Sequence, residues 1–161
     1  QVYALEMDDF CEEPYSLIGI HSTLEDYKLA YLINQNLNTR FYKAIKDLEF
    51  KRDKKKASFS IYNYENTNDG FDWFLIANSY RRENQTVSNE LLLTSETKTY
   101  LIPEKKKVDF FLKICGDSEY DFVMKTIQKI INIENVITAY SIDKNTLKSM
   151  FFIECKTTIL R

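Results

Sequence analysis

Residues 71 to 77 read Phe-Asp-Trp-Phe-Leu-Ile-Ala. In an extended chain successive side chains point to opposite faces. Phe71, Trp73 and Leu75 then take one side, and Phe74 and Ile76 the other. A strand apolar on both faces is central in its sheet or covered on both sides. The chain must therefore build a sheet with cover above and below. Its 161 residues suffice to do so as a single domain over 1–161, and at that size burial needs no covalent staple. Three glycines and two prolines are the only strong punctuation, so most of the chain is regular structure joined by short polar turns.

The remaining elements follow from periodicity. Residues 15–20 form a short apolar strand. Ser22-Thr23-Leu24-Glu25 has the pattern of a capping box and opens a helix to about Leu37. Its apolar stripe (Leu24, Tyr27, Ala30, Tyr31 and Leu37, widened by Leu29, Leu32 and Ile33) predicts a well-buried helix. Residues 41–50 read as one strand, Lys51 to Lys56 as a basic turn, and Phe59 and Ile61 as the next strand. Asn66 to Gly70 is a hairpin turn with Asp-Gly chemistry. Arg81 to Asn89 reads as a polar loop, and 90–94 and 98–102 as strands. Pro103 lacks an amide donor and ends a strand. Residues 108–114 alternate, with Val108, Phe110, Leu112 and Ile114 inward and Asp109 and Lys113 outward. A second helix carries Tyr120, Val123, Met124, Ile127, Ile130 and Ile131, after Ser118-Glu119-Tyr120-Asp121 as a second capping box. Strands at 136–142 and 150–155 close the chain. The fold class is α+β: a mostly antiparallel sheet with two main helices. Two strand–helix–strand–strand stretches, 15–64 and 108–155, align as a pseudo-duplicated ferredoxin-like or ACT-like arrangement.

With glycine only at 19, 70 and 116, neither a dinucleotide fingerprint nor a phosphate-binding P-loop can be built. The single histidine, His21, excludes histidine-rich metal sites, so no metal or other cofactor is expected. Cysteines stand at 11, 115 and 155 without a CxxC pair, and do not read as a disulfide framework. This usage suits a reducing cytosol, and a cytoplasmic location is expected. Cys11 lies among Asp8, Asp9, Glu12 and Glu13, which disfavour its thiolate. No apolar run reaches the ~20 residues of a membrane span, and residues 1–9 lack the features of a signal peptide. A net charge of −2 gives no global field toward nucleic acid or membrane.

Two weak site candidates remain. His21 and Cys115 occupy matching strand-to-helix junctions and are the available pair for a proton or ligand site; a hydrogen-bonded junction residue and a small buried hydrophobe are their commoner roles. Lys54, Lys55, Lys56, Arg81 and Arg82 lie in turns near aromatic strands. They make a nucleic-acid surface only if the turns cluster beside rings; solvated turn lysines are the commoner reading. No residue stands out as catalytic.

Ile102-Pro103-Glu104-Lys105-Lys106-Lys107-Val108-Asp109-Phe110 resembles the signature of a bacterial family named for it, the IPExxxVDY family of the Bacteroidetes. Similar stretches are Ile20 to Tyr27, Val136 to Tyr140 and Leu147 to Ser149, so the resemblance spans nearly the whole chain. Phe110 stands where the signature has tyrosine, which removes a hydroxyl. The resemblance implies no substrate, cofactor or catalytic residue. Physically, Pro103 stops a ladder, the lysines are solvated, and Val108 and Phe110 enter the core, with Asp109 pointing away beside the turn. The expectation is an interaction protein, not an enzyme, that binds a protein partner or itself through Tyr62, Tyr64, Phe74 and Ile76. An RNA-associated protein using the basic turns and an ACT-like small-molecule sensor are the rivals.

Overall fold

The computed structural model describes residues 14–52, 54–88 and 91–148. In chain order the elements are β1 (Tyr15–Ser22), α1 (Asp26–Leu37), β2 (Tyr42–Lys43), β3 (Leu48–Arg52), β4 (Lys55–Phe59), β5 (Ile61–Glu65), β6 (Asp72–Ala77), β7 (Ser79–Ser88), β8 (Leu91–Tyr100), β9 (Phe110–Cys115), α2 (Tyr120–Ile131) and β10 (Val136–Ser141). Six strands form one antiparallel sheet in the order β10-β1-β9-β6-β5-β2, while β3-β4 and β7-β8 are separate two-stranded ribbons. The fold is α+β, as the periodicity predicts.

Strand β6 sits between β9 and β5. Its Trp73 and Leu75 enter one apolar cluster and its Phe74 and Ile76 another. The first cluster lies under both helices, with Leu29, Ala30 and Ile33 of α1 and Val123, Ile127 and Ile130 of α2 packed on Ile18, Ile20 and Leu112. The second is roofed by Ala57 and Phe59 of β4 with Leu101, Ile102, Val108 and Ile142. Both faces of the sheet are thus covered, as residues 71–77 require.

The two helical units interlock. Strands β1 and β6 run parallel with β9 between them, and the chain passes from one to the other through α1 and then β2 to β5. Likewise β9 and β10 run parallel, joined through α2, with β1 between them. This is a split βαβ pair. The first repeat expected at 15–64 stops short of its closing strand β6, and the strand expected at 150–155 lies outside the described residues.

Several local expectations need correcting. Neither capping box forms. Helix α1 starts at Asp26 after Glu25, and α2 at Tyr120 after Glu119, without a side-chain cap. Ser22 Oγ instead accepts from the Leu24 amide at 3.1 Å and donates to the Asn135 carbonyl at 2.9 Å. On α1, Tyr27 and Tyr31 face solvent; a phenol tolerates water where Leu29 and Ile33 do not. The strand expected at 41–50 splits into β2 and β3, and the basic turn at 51–56 is the end of the β3-β4 hairpin. The loop expected at 81–89 is strand β7, paired along its length with β8. Its polar residues hide the alternation because most of the ribbon is exposed. Lys113, expected outside, is buried with its ammonium 4.3 Å from the Tyr15 ring centre. Cys115 is disulfide-bonded, against the expectation of free thiols; Cys11 and Cys155 lie outside the described residues. Spacing along a chain does not report the Cα approach that a disulfide requires. Gly116 follows at φ +96°, where an added Cβ would stand 2.6 Å from the Phe71 ring.

Candidate functional site

The signature segment folds into a knot around one buried amide. Asn78 is 0% exposed. Its side-chain Nδ2 donates to the carbonyls of Lys105 (2.9 Å) and Val108 (2.8 Å), and its Oδ1 accepts from the Ile102 amide at 2.9 Å. Its backbone N–H donates to the Asp109 carbonyl and its carbonyl accepts from Leu101. Every donor and acceptor of this residue is therefore used. Pro103 to Lys105 make a short 3-10 turn, which bends the segment round the amide while Ile102 and Val108 sink into the second apolar cluster.

The charged signature residues tie the knot to other elements. Asp109 Oδ2 accepts from the Ser22 amide at 2.9 Å, so its carboxylate is anchored and does not simply point away. Glu104 Oε1 accepts from the Lys148 amide at 2.8 Å. Phe110 is buried in the cluster under the helices, a place where a phenol would need a partner. Lys105, Lys106 and Lys107 line an open recess of about 330 Å³ with Tyr140. The ring of Tyr140 lies beside His21, with the hydroxyl 3.0 Å from Nε2.

His21 and Cys115 do not meet. Tyr15 pairs with Cys115 and Ile20 with Phe110, so the two candidates sit at opposite ends of β1. At about 3.4 Å per residue that is roughly 20 Å. The Cys115 sulfur is in addition committed to its disulfide.

The basic stretches are partly brought together. Lys56 of β4 and Arg82 of β7 line a second open recess, of about 370 Å³, with Glu49, Ser58 and Tyr80. Tyr80 stands edge-on to Phe59, 6.4 Å between ring centres, which fixes this face of β7 against the β3-β4 ribbon. Arg81 belongs to the other face and pairs with Glu96 at 3.4 Å. The lysines at 105–107 are in the first recess instead.

One cluster was invisible in the sequence. Asp26 at the start of α1, Lys43 of β2, Asp47, Ser60 and Tyr62 of β5 converge. Ser60 Oγ donates to Asp26, Lys43 donates to Ser60, and Lys43 lies 2.9 Å from Asp47 and 3.8 Å from Asp26. Burial, then the charge of Asp26 and a hydrogen bond to it, and the charge of Asp47, push the Tyr62 phenol above its ordinary value. Together these contacts form an electrostatic clasp that joins α1 to the sheet edge.

The aromatic surface expected at Tyr62, Tyr64, Phe74 and Ile76 is not there. Tyr62, Phe74 and Ile76 are buried, and Tyr64 packs on the cluster under the helices. Exposed apolar side chains lie elsewhere, among them Leu91 and Leu93 of β8.

Among the described residues no group of three or more His, Cys, Asp or Glu is placed to hold a metal, and no helix is long and apolar enough to cross a membrane. The fold defines an α+β protein with a two-faced antiparallel sheet. No protein-family model, curated protein or solved structure matches the chain.

Proposed function

We propose that this is a non-catalytic interaction protein that pairs with a second copy of itself through the outer face of the β7-β8 ribbon. The observation that carries this reading is the order of charges on that face. The register sets Arg81 opposite Lys98 and Glu83 opposite Glu96. Like charges directly opposite are destabilising in a lone ribbon, offset here in part by the diagonal Arg81–Glu96 pair. A row of two cations followed by a row of two anions is self-complementary. A two-fold axis lying in the interface, parallel to the two rows and midway between them, lays each cationic row on the anionic row of the second copy, as an isologous interface requires. The inner face of the ribbon rests on β3-β4 through Tyr80 and Phe59, and a partner would cover the outer face, which the described residues leave exposed.

The non-catalytic part of the reading is supported by how the signature's polar groups are used. Asp109, Glu104 and Asn78 are all engaged in holding backbone.

The test is a charge swap read by light scattering after size exclusion. The wild type is expected to be a dimer. Glu83→Lys/Glu96→Lys and Arg81→Glu/Lys98→Glu are each expected to be monomers, and an equal mixture of the two to recover the dimer. A monomeric wild type, or swapped variants that dimerise as the wild type does, would sink the reading.

A further inference from the structure

We propose that the end of the β3-β4 hairpin and the adjoining inner face of β7 form a binding site for single-stranded nucleic acid. The first observation is an arrangement the fold does not need. Residues 51–56 hold five cations, Lys51, Arg52, Lys54, Lys55 and Lys56, against the single Asp53. The register sets Lys51 opposite Lys56, a like-charge pair on one face of the ribbon. Such a pair opposes the ribbon that carries it. Lys54 sits at the bend with φ +65°, a left-handed conformation that a lysine adopts at a cost and that asparagine or glycine would take more readily. Lys51, Lys54, Lys55 and Lys56 are all exposed. Within the described part of this hairpin, the Lys56–Glu49 pair at 3.1 Å offsets one charge, and both partners are more than half exposed. A phosphate lying against the face of Lys51 and Lys56 would relieve that repulsion.

The second observation distinguishes a nucleic acid from other polyanions. The same hairpin borders a recess whose far wall is Tyr80 and Arg82 of β7. Tyr80 is half-buried and braced edge-on by Phe59, so a ring held in place stands beside Lys56 and Arg82 in the same recess. A basic track with a fixed aromatic ring suits a strand whose bases are free to stack. Duplex bases are stacked on one another already, so the ring selects single strands. Glu49 is the acidic group in the recess and pairs with Lys56.

This site does not depend on self-association. Tyr80 and Arg82 lie on the β7 face turned to β3-β4, while Arg81, Lys98, Glu83 and Glu96 lie on the opposite one, since alternate residues take opposite faces. The experiment uses the full chain and a fluorescein-labelled oligouridine, with anisotropy read against salt. Binding is expected to weaken linearly on a log–log plot as salt rises, and the slope to shrink in Lys54→Glu/Lys55→Glu/Lys56→Glu, where affinity falls at least tenfold. Tyr80→Ala is expected to lose roughly five- to a hundredfold, the range for one stacked base, and to leave heparin binding unchanged, because heparin has no bases. Tyr80→Phe keeps the ring and is expected to bind as the wild type does. Thermal melts check that each variant is folded. No binding by the wild type, or equal loss of heparin and oligouridine in Tyr80→Ala, overturns the proposal. Duplex bound as tightly as single strand overturns it as well. The charge-swap variants report on the other face, so either proposal can fail without the other.

Discussion

Asn78 and Ser79 are neighbours in sequence and stand at the boundary of two unlike regions. At Asn78 the chain has no exposure and every polar atom is matched within the protein. One residue later it enters the β7-β8 ribbon, most of which is exposed. The knot uses polar groups to define its own shape. The ribbon and the adjacent β3-β4 hairpin carry charges that their own strands leave in opposition. Polar residues that serve the fold are therefore distinguished from those available to a partner by whether their bonding capacity is already consumed, not by their type.

That contrast can be broken most sharply at Asn78. Asn78→Ala leaves the Val108 carbonyl and the Ile102 amide without their side-chain partner in a buried place, at about 1–3 kcal/mol each, while the Lys105 carbonyl keeps the Val108 amide. A loss of at least about 2 kcal/mol in urea unfolding is expected, a large part of the total for a domain of this kind. Asn78→Asp removes the donors and sets a carboxylate against two carbonyls, so it is expected to be no better. Next comes Asp109→Ala, which strips a charged acceptor from the Ser22 amide and is expected to cost about 1.5–3 kcal/mol. If either variant unfolds with wild-type midpoints, the knot is not what holds the signature segment.

On the exposed side the sign reverses. Lys51→Glu replaces a like-charge pair with an opposite one and is expected to raise stability by about 0.2–1 kcal/mol, while weakening oligouridine binding. A residue whose removal improves the fold and impairs binding is what a functional surface predicts. A variant that lost both would assign the lysine to the fold.

The clasp at Tyr62 lies between the two extremes and yields a pH dependence. Its phenol is raised above the usual value of about 10, so the unfolded chain releases this proton first as pH climbs. The contribution is flat below about pH 10, and stability falls above it as the unfolded state comes to bind fewer protons than the folded one. Asp26→Asn removes one cause of the shift and is expected to make that decline shallower. Urea midpoints between pH 9 and 11 for the two proteins decide it. The smallest effect belongs to Leu91→Ser/Leu93→Ser. Both side chains are more than half exposed, and such changes usually stay within about 0.5 kcal/mol.

The sheet was legible because residues 71–77 leave no alternative to two-sided cover, and both helices because Val123, Ile127, Ile130, Leu29 and Ile33 repeat at helical spacing. The ribbon was not, since Arg81 to Ser88 lacks apolar alternation, and pairing with β8 rather than burial defines it. Asn78 was also overlooked. Its side-chain partners are Ile102, Lys105 and Val108, too far along the chain for any local pattern to report. The signature residues could be seen as a unit, but not the amide they enclose. Among the basic residues, sequence could name Lys56 and Arg82 but not bring them to one recess, nor tell Arg81 from Arg82 before a strand set them on opposite faces.

The interlocked βαβ units also govern how the protein is made. Strand β1 takes its two neighbours, β9 and β10, from the other end of the described chain. During synthesis it therefore emerges with both hydrogen-bonding edges unpaired, and they remain so until Phe110 and then Ser141 have been added. Such long-range pairing folds slowly, and exposed strand edges in the interval invite aggregation. A released chain ending before β9 is expected to be digested readily by protease within residues 15–22, and the full chain to be protected there.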